Sequence, residues 1–170
     1  MPIAQSLLAE FETQAPITRR FLERLPEDKL TWKPHAKSLT AGQLAYHIAL
    51  NPGGVIQLVR NNPAESAGFP TFPEPATVGE ILATFDQGAA TVREVLPAFD
   101  DAAMEETWRL SIKGTPVVSA PRAAFLRDIM FSHLYQHRGQ LSVYLRLLNV
   151  PVPASWGPSA DEAPSFLPNH

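Results

Sequence analysis

Two histidines four residues apart, His133 and His137, and a third at His47 are the side chains of this sequence best suited to hold a metal ion. On a helix, residues four apart share one face with Cβ atoms about 6 Å apart, so two imidazoles can meet one zinc at about 2.0 to 2.1 Å each. Two familiar metal chemistries fail on the same residues. A zinc hydrolase of the zincin type carries a glutamate directly after its first histidine as general base, whereas the run here is His133-Leu134-Tyr135-Gln136-His137. A di-iron bundle needs Glu-x-x-His pairs on two helices, and neither helical histidine belongs to one. One ion is the consistent reading. Three neutral imidazoles accept several first-row divalent metals, and affinity order alone does not choose among them.

Other polar side chains near these positions could orient the ligands. A metal-bound histidine usually donates its other ring nitrogen to a fixed partner. Gln43 and Asn51 flank His47 at four residues, and Gln140 and Tyr144 follow His137; Asn51 and Gln140 are the expected partners. His35, in a loop, and His170, at the C-terminus, are expected in solvent. Asn51-Pro52-Gly53-Gly54 should kink the second helix just after His47, and its bare backbone would either open room for a ligand or serve packing alone. Arg138 points away from the metal stripe and is expected to pair with Asp161 or Glu162. No catalytic side chain stands out.

Four helical segments must position these groups. The first runs from about Ala4 to Leu25. The second opens at the capping box Thr40 to Gln43 and continues to about Asn61, with Leu44, His47, Asn51, Val55 and Leu58 facing inward. The third begins at a second box, Thr77 to Glu80, and keeps an apolar stripe from Val78 to Phe99. The fourth runs from about Pro121 to Leu148, roughly 40 Å, with an inward stripe of Leu126, Met130, His133, His137, Leu141, Tyr144 and Leu148. Between the last two, Trp108 to Ile112 alternates ahead of Lys113-Gly114, which suggests a short hairpin. Five prolines from Pro151 to Pro168 predict an extended tail that Trp156 helps to bury. The expected fold class is all-α, a four-helix bundle in a single domain spanning 1–170.

Composition limits the function classes. The 170 residues are 45% hydrophobic and 18% charged, with 14 basic and 17 acidic side chains mixed along the chain. That is ordinary for a globular protein and shows no basic stripe for nucleic acid. Cysteine is absent, which excludes disulfides, thiolate ligands and a cysteine nucleophile. There is no signal-peptide pattern and no run of the ~18 apolar residues a membrane helix needs, so the expected location is the cytoplasm.

Three stretches resemble the DinB/YfiT-like superfamily of metal-binding four-helix bundles. They are Trp32-Lys33-Pro34-His35 followed by Leu44-Ala45-Tyr46-His47-Ile48, then His133 to Leu141 with the sequence HLYQHRGQL, and Trp156-Gly157-Pro158-Ser159-Ala160-Asp161-Glu162. The resemblance implies that His47, His133 and His137 are the metal ligands, that the ion is nickel, zinc or iron with positions open to water, and that the protein is a homodimer. It does not imply one reaction, since similar proteins include transferases of low-molecular-weight thiols, a thiol-dependent isomerase, proposed hydrolases and stress-response members. The expected function is transfer of a low-molecular-weight thiol to a small electrophilic substrate; the alternatives are a metal-dependent hydrolase and a non-catalytic metal-binding protein of a stress response.

Overall fold

The computed structural model describes residues 1–68 and 71–164. Three long helices come first: α1 (Ile3–Glu23), α2 (Ala41–Leu58) and α3 (Val78–Val95). A short α4 (Asp101–Glu105) follows, capped by Asp100. The last helical segment is continuous but has three parts, α5 (Arg122–Phe125), a π-helical stretch (Leu126–Ser132) and α6 (His133–Leu147). Helices α1 and α2 each pack on both α3 and α6. Their apolar faces enclose a core that includes Leu7, Phe11, Leu44, Ile48, Phe85 and Leu141.

The capping signals act largely as the sequence implies. The Thr40 hydroxyl accepts from Gln43 N, and the Gln43 side chain accepts from Thr40 N, closing a reciprocal box at the start of α2. Thr77 accepts from Glu80 N, but the Glu80 carboxylate turns to Ala76 N instead of the cap residue.

The chain is not purely helical. Strands β1 (Ala64–Ser66), β2 (Thr107–Ile112) and β3 (Thr115–Pro121) form one sheet in that order. β2 and β3 run antiparallel around Lys113 and Gly114, at φ of 50° and 75°, the left-handed pair that a two-residue turn between twisted strands demands. β1 adds to β2 in parallel, and three residues with one buried side chain carry no readable period. Trp108, fully buried on β2, donates its indole N–H to the Asn61 carbonyl at 2.7 Å and packs on Phe125.

The tail departs from expectation in one respect. Trp156 is 58% exposed, and Val152, Pro153, Ala154 and Pro164 are the buried residues of the described tail instead. Asp161 fixes the segment through Val152 N and Arg146, and Glu162 pairs with Arg20 and Arg24. Pro168 and His170 lie outside the described residues.

Pro52 sits inside α2 without ending it. The two following glycines have separate roles. A Cβ on Gly53 would stand 2.8 Å from the Gly88 Cα, so α2 and α3 meet backbone to backbone; a Cβ on Gly54 would meet nothing within 4 Å. Of the two readings of this motif, packing is the one the structure supports at Gly53. Gly53→Ala should therefore cost about 1 to 3 kcal/mol by overpacking, whereas Gly54→Ala should be neutral or stabilising by up to about 1 kcal/mol through helix propensity. Denaturant unfolding of the two variants checks this; equal effects would refute the contact.

Candidate metal centre

The π-helical stretch decides where the two histidines of the last helix face. An uninterrupted α-helix continuing from Leu126 and Met130 would bury His133 and His137. Within the stretch the backbone N–H of His133 bonds to the Asp128 carbonyl, five residues back. One residue is thereby added to the turn, and the buried positions of α6 become Leu134, Arg138, Leu141 and Leu145. His133 and His137 move to the flank of the helix, half-buried and turned toward α2. The strict 3.6-residue stripe expected from the sequence is corrected here.

From α2, His47 reaches the same point. Its Nε2 lies 3.3 Å from Nε2 of His133, which is 2.7 Å from Nε2 of His137. All three ligand atoms fall within 4.8 Å of one another. Two nitrogens bound at about 2.05 Å to one ion stand roughly 2.9 Å apart at right angles and roughly 3.3 Å apart at the tetrahedral angle, so these spacings match a shared ion. No carboxylate joins the cluster among the described residues.

The opposite ring nitrogens are held. His137 Nδ1 lies 2.7 Å from Gln140 Oε1, which can only accept, so the proton sits on Nδ1 and the Nε2 lone pair faces the cluster. The His133 ring hydrogen-bonds the Ile129 backbone. The same carbonyl accepts from Asn51 Nδ2 at 2.7 Å, using its second lone pair. Asn51 thus braces His133, at 3.3 Å from its Nδ1, and not His47 as its position in α2 suggested. Its Oδ1 is buried without a partner among the described residues.

Burial, then the neighbouring His137 and His133, pushes the His47 pKa down to about 4. Burial and then His137 lower that of His133, against the pull of its bond to Ile129. Both imidazoles are therefore neutral at pH 7, the form a metal requires. With both Nδ1 protons turned outward, two lone pairs oppose each other at 2.7 Å. A divalent cation satisfies them, and the donor set fits one.

The surroundings divide into a lid and a cleft. The Phe72 ring lies 5.0 Å from that of His47, and its carbonyl is held by Gln43 Nε2 at 2.9 Å. Gln43 is therefore a cap and a loop anchor, not a ligand brace. Phe72 was missed because its connecting segment carries no periodic signal. On the other side an open cleft of about 510 Å³ runs from His137 and Gln140 along Pro34, Leu39, Leu44, Val143, Tyr144 and Leu147. The Tyr144 hydroxyl bonds the Leu39 carbonyl and not a histidine. His35 stays in its loop, where its Nδ1 accepts from Lys37 N. Arg138 is buried and bonds Gln14 and Thr18 of α1, which corrects the expected pairing with the tail.

Two expectations follow. Gln140→Ala, by releasing the His137 tautomer, should weaken zinc binding about tenfold or more in competition with a chromogenic chelator; unchanged affinity would remove Gln140 from the site. The second concerns protons in the metal-free protein. An unfolded imidazole titrates near pH ~6.5, whereas folded His47 titrates at about 4. Between those values the unfolded chain binds a proton that the folded chain refuses, so stability should fall as pH drops through that window. Denaturation of His47→Phe should show a shallower fall; an identical slope would mean His47 is not the group concerned.

Known proteins share this arrangement of elements. Over 163 residues the chain is 25% identical to the Bacillus subtilis (strain 168) protein YrdA, itself uncharacterised, covering 94% of this chain and 91% of that one. A DinB-like protein from Bacillus cereus ATCC 10987 superposes with a TM-score of 0.70 at 20% identity, over 89% of this chain and 96% of its own. The DinB-like protein YjoA from Bacillus subtilis gives a TM-score of 0.65 at 18% identity, over 88% and 96%. Residues 10–141, which include all three clustered histidines, match the DinB superfamily, and the chain belongs to it.

Proposed function

We propose that the chain is a metal-dependent enzyme that joins a low-molecular-weight thiol to a small electrophilic substrate, with one nickel, zinc or iron ion held by His47, His133 and His137. The observation that carries this reading is the convergence of three imidazole Nε2 atoms at the end of an apolar cleft, with no carboxylate among them. A divalent ion bound there would supply the positive charge that turns a thiol of pKa about 8.5 into a thiolate.

The chain's own groups do the rest. Gln140 and the Ile129 carbonyl keep two rings in the tautomer that offers Nε2. Phe72 covers the His47 side. The cleft from Pro34 to Leu147 receives the apolar part of the substrate and brings it beside His137. A hydrolase of this kind gains from a carboxylate that takes the proton of water, and the cluster has none. A thiol deprotonated by the ion itself has less need of such a base, which favours thiol transfer over hydrolysis.

Metal titration of single variants tests the ligand set. His133→Ala and His137→Ala should abolish binding, His47→Ala should weaken it at least about tenfold, and His35→Ala should leave it intact. Loss on changing His35 would overturn the assignment. Chelation should lower the melting temperature, because an ion at about a hundredfold excess over Kd stabilises the native state by about 2.7 kcal/mol. For the reaction, metal-loaded protein is incubated with a chromogenic electrophile and a panel of small thiols, beside simple esters and amides. Thiol adducts formed only with metal are the expected result; metal-dependent hydrolysis with no thiol transfer would replace the thiol reading.

A further inference from the structure

Arg138 follows a clustered histidine in sequence but faces the other side of α6, where it is only 7% exposed. Its Nη1 donates to Gln14 Oε1 at 2.9 Å and Thr18 Oγ1 at 3.1 Å, both neutral oxygens. The Tyr135 ring lies beneath the guanidinium at 5.2 Å. No carboxylate pairs with it among the described residues. The tail's two acids are engaged elsewhere, Asp161 by Arg146 and Glu162 by Arg20 and Arg24. A buried charge without a counter-ion is costly, and arginine cannot escape the cost by losing its proton.

Arg138 is not sealed in. Arg138 lines a hollow of about 300 Å³ between α1, α6 and the tail, with Phe21, Gly139, Ser142, Ser155 and Ser159 among its other walls. This hollow shares no residue with the cleft beside His137. Its volume is at the small end of the range for ligand sites. With Nη1 committed to α1, the edge formed by Nε and Nη2 makes no hydrogen bond among the described residues. That edge is a planar fork of the kind that receives both oxygens of a carboxylate.

We propose that this hollow is a second binding site, separate from the histidine cluster, for a small carboxylate whose two oxygens are received by Arg138. The ligand neutralises the buried guanidinium, and its body lies between Phe21 and the tail. The site does not depend on the metal reading.

The test is calorimetric titration of the full chain, metal-free and metal-loaded, with acetate, propionate, benzoate and succinate, and separately with inorganic phosphate, all at constant ionic strength. Saturable binding of at least one carboxylate is expected, equal in the two metal states. Arg138→Lys should weaken it about tenfold or more by removing the fork. Because that change could also loosen the core, Gly139→Leu serves as the second variant. A Cβ at Gly139 meets nothing within 4 Å, so the larger side chain fills the hollow and leaves Arg138 in place. It should lose carboxylate binding and keep its metal affinity and melting temperature. No saturable carboxylate binding by the unaltered protein, binding of phosphate alone, or full binding by Gly139→Leu would each overturn the proposal.

Discussion

Two imidazole lone pairs at 2.7 Å repel each other unless a proton or an ion lies between them, and the fold is arranged so that a proton is disfavoured. His47 and His133 are kept neutral by burial and by their neighbours. The outer nitrogens of His133 and His137 are held by a carbonyl and an amide oxygen, which leaves the inner ones as bare acceptors. Holding three such groups together without an ion is unfavourable, and the surrounding packing must bear that cost. α2 meets α3 at Gly53 and Gly88 with no side chain between them, and Asn51 ties α2 to the Ile129 carbonyl. The helix that carries His47 is therefore fixed on both sides, which holds its imidazole opposite the pair on α6.

Much of this was legible in the residues. The i, i+4 histidine pair, the caps at Thr40 and Thr77 and the apolar stripe of α3 follow from local rules that the tertiary structure leaves in force. Gln140 stands beside His137 because the two share one helical turn. Asn51 was assigned to the wrong ring, since the partner it meets lies 82 positions away and no spacing on α2 points to it. The parallel strand Ala64–Ser66 and the lid residue Phe72 belong to a segment without period, where long-range contacts alone decide the conformation. The largest miss was the phase of the last helix, because a π turn has no residue signature comparable to a glycine or proline.

Arg138 shows how one phase error propagates. Placed on an ideal helix it faces away from the buried stripe and ought to find an acid on the surface. With the extra residue in the turn it enters the interior and bonds α1, while the tail's acids pair with Arg20, Arg24 and Arg146 at the rim. The neighbours His137 and Arg138 thus serve two different compartments on opposite sides of α6. The tail, anchored through Val152, Ala154 and its two acids, walls one of them.

The π turn also makes the site sensitive to chain length in a way that point substitutions do not reveal. Straightening this segment into uninterrupted α-helix at unchanged length would turn everything downstream by about 100° relative to what precedes it. His133 and His137 would then rotate toward the core positions now held by Leu134 and Arg138, and the buried arginine would swing out to solvent. Deleting one residue between Arg127 and Ser132 would instead remove the residue that the wide turn absorbs, leaving a plain α-helix with the histidines in their present phase. Losing two would overshoot and turn both imidazoles away from α2. In this fold, the spacing between Phe125 and His133 is as much a part of the histidine cluster as the imidazoles themselves.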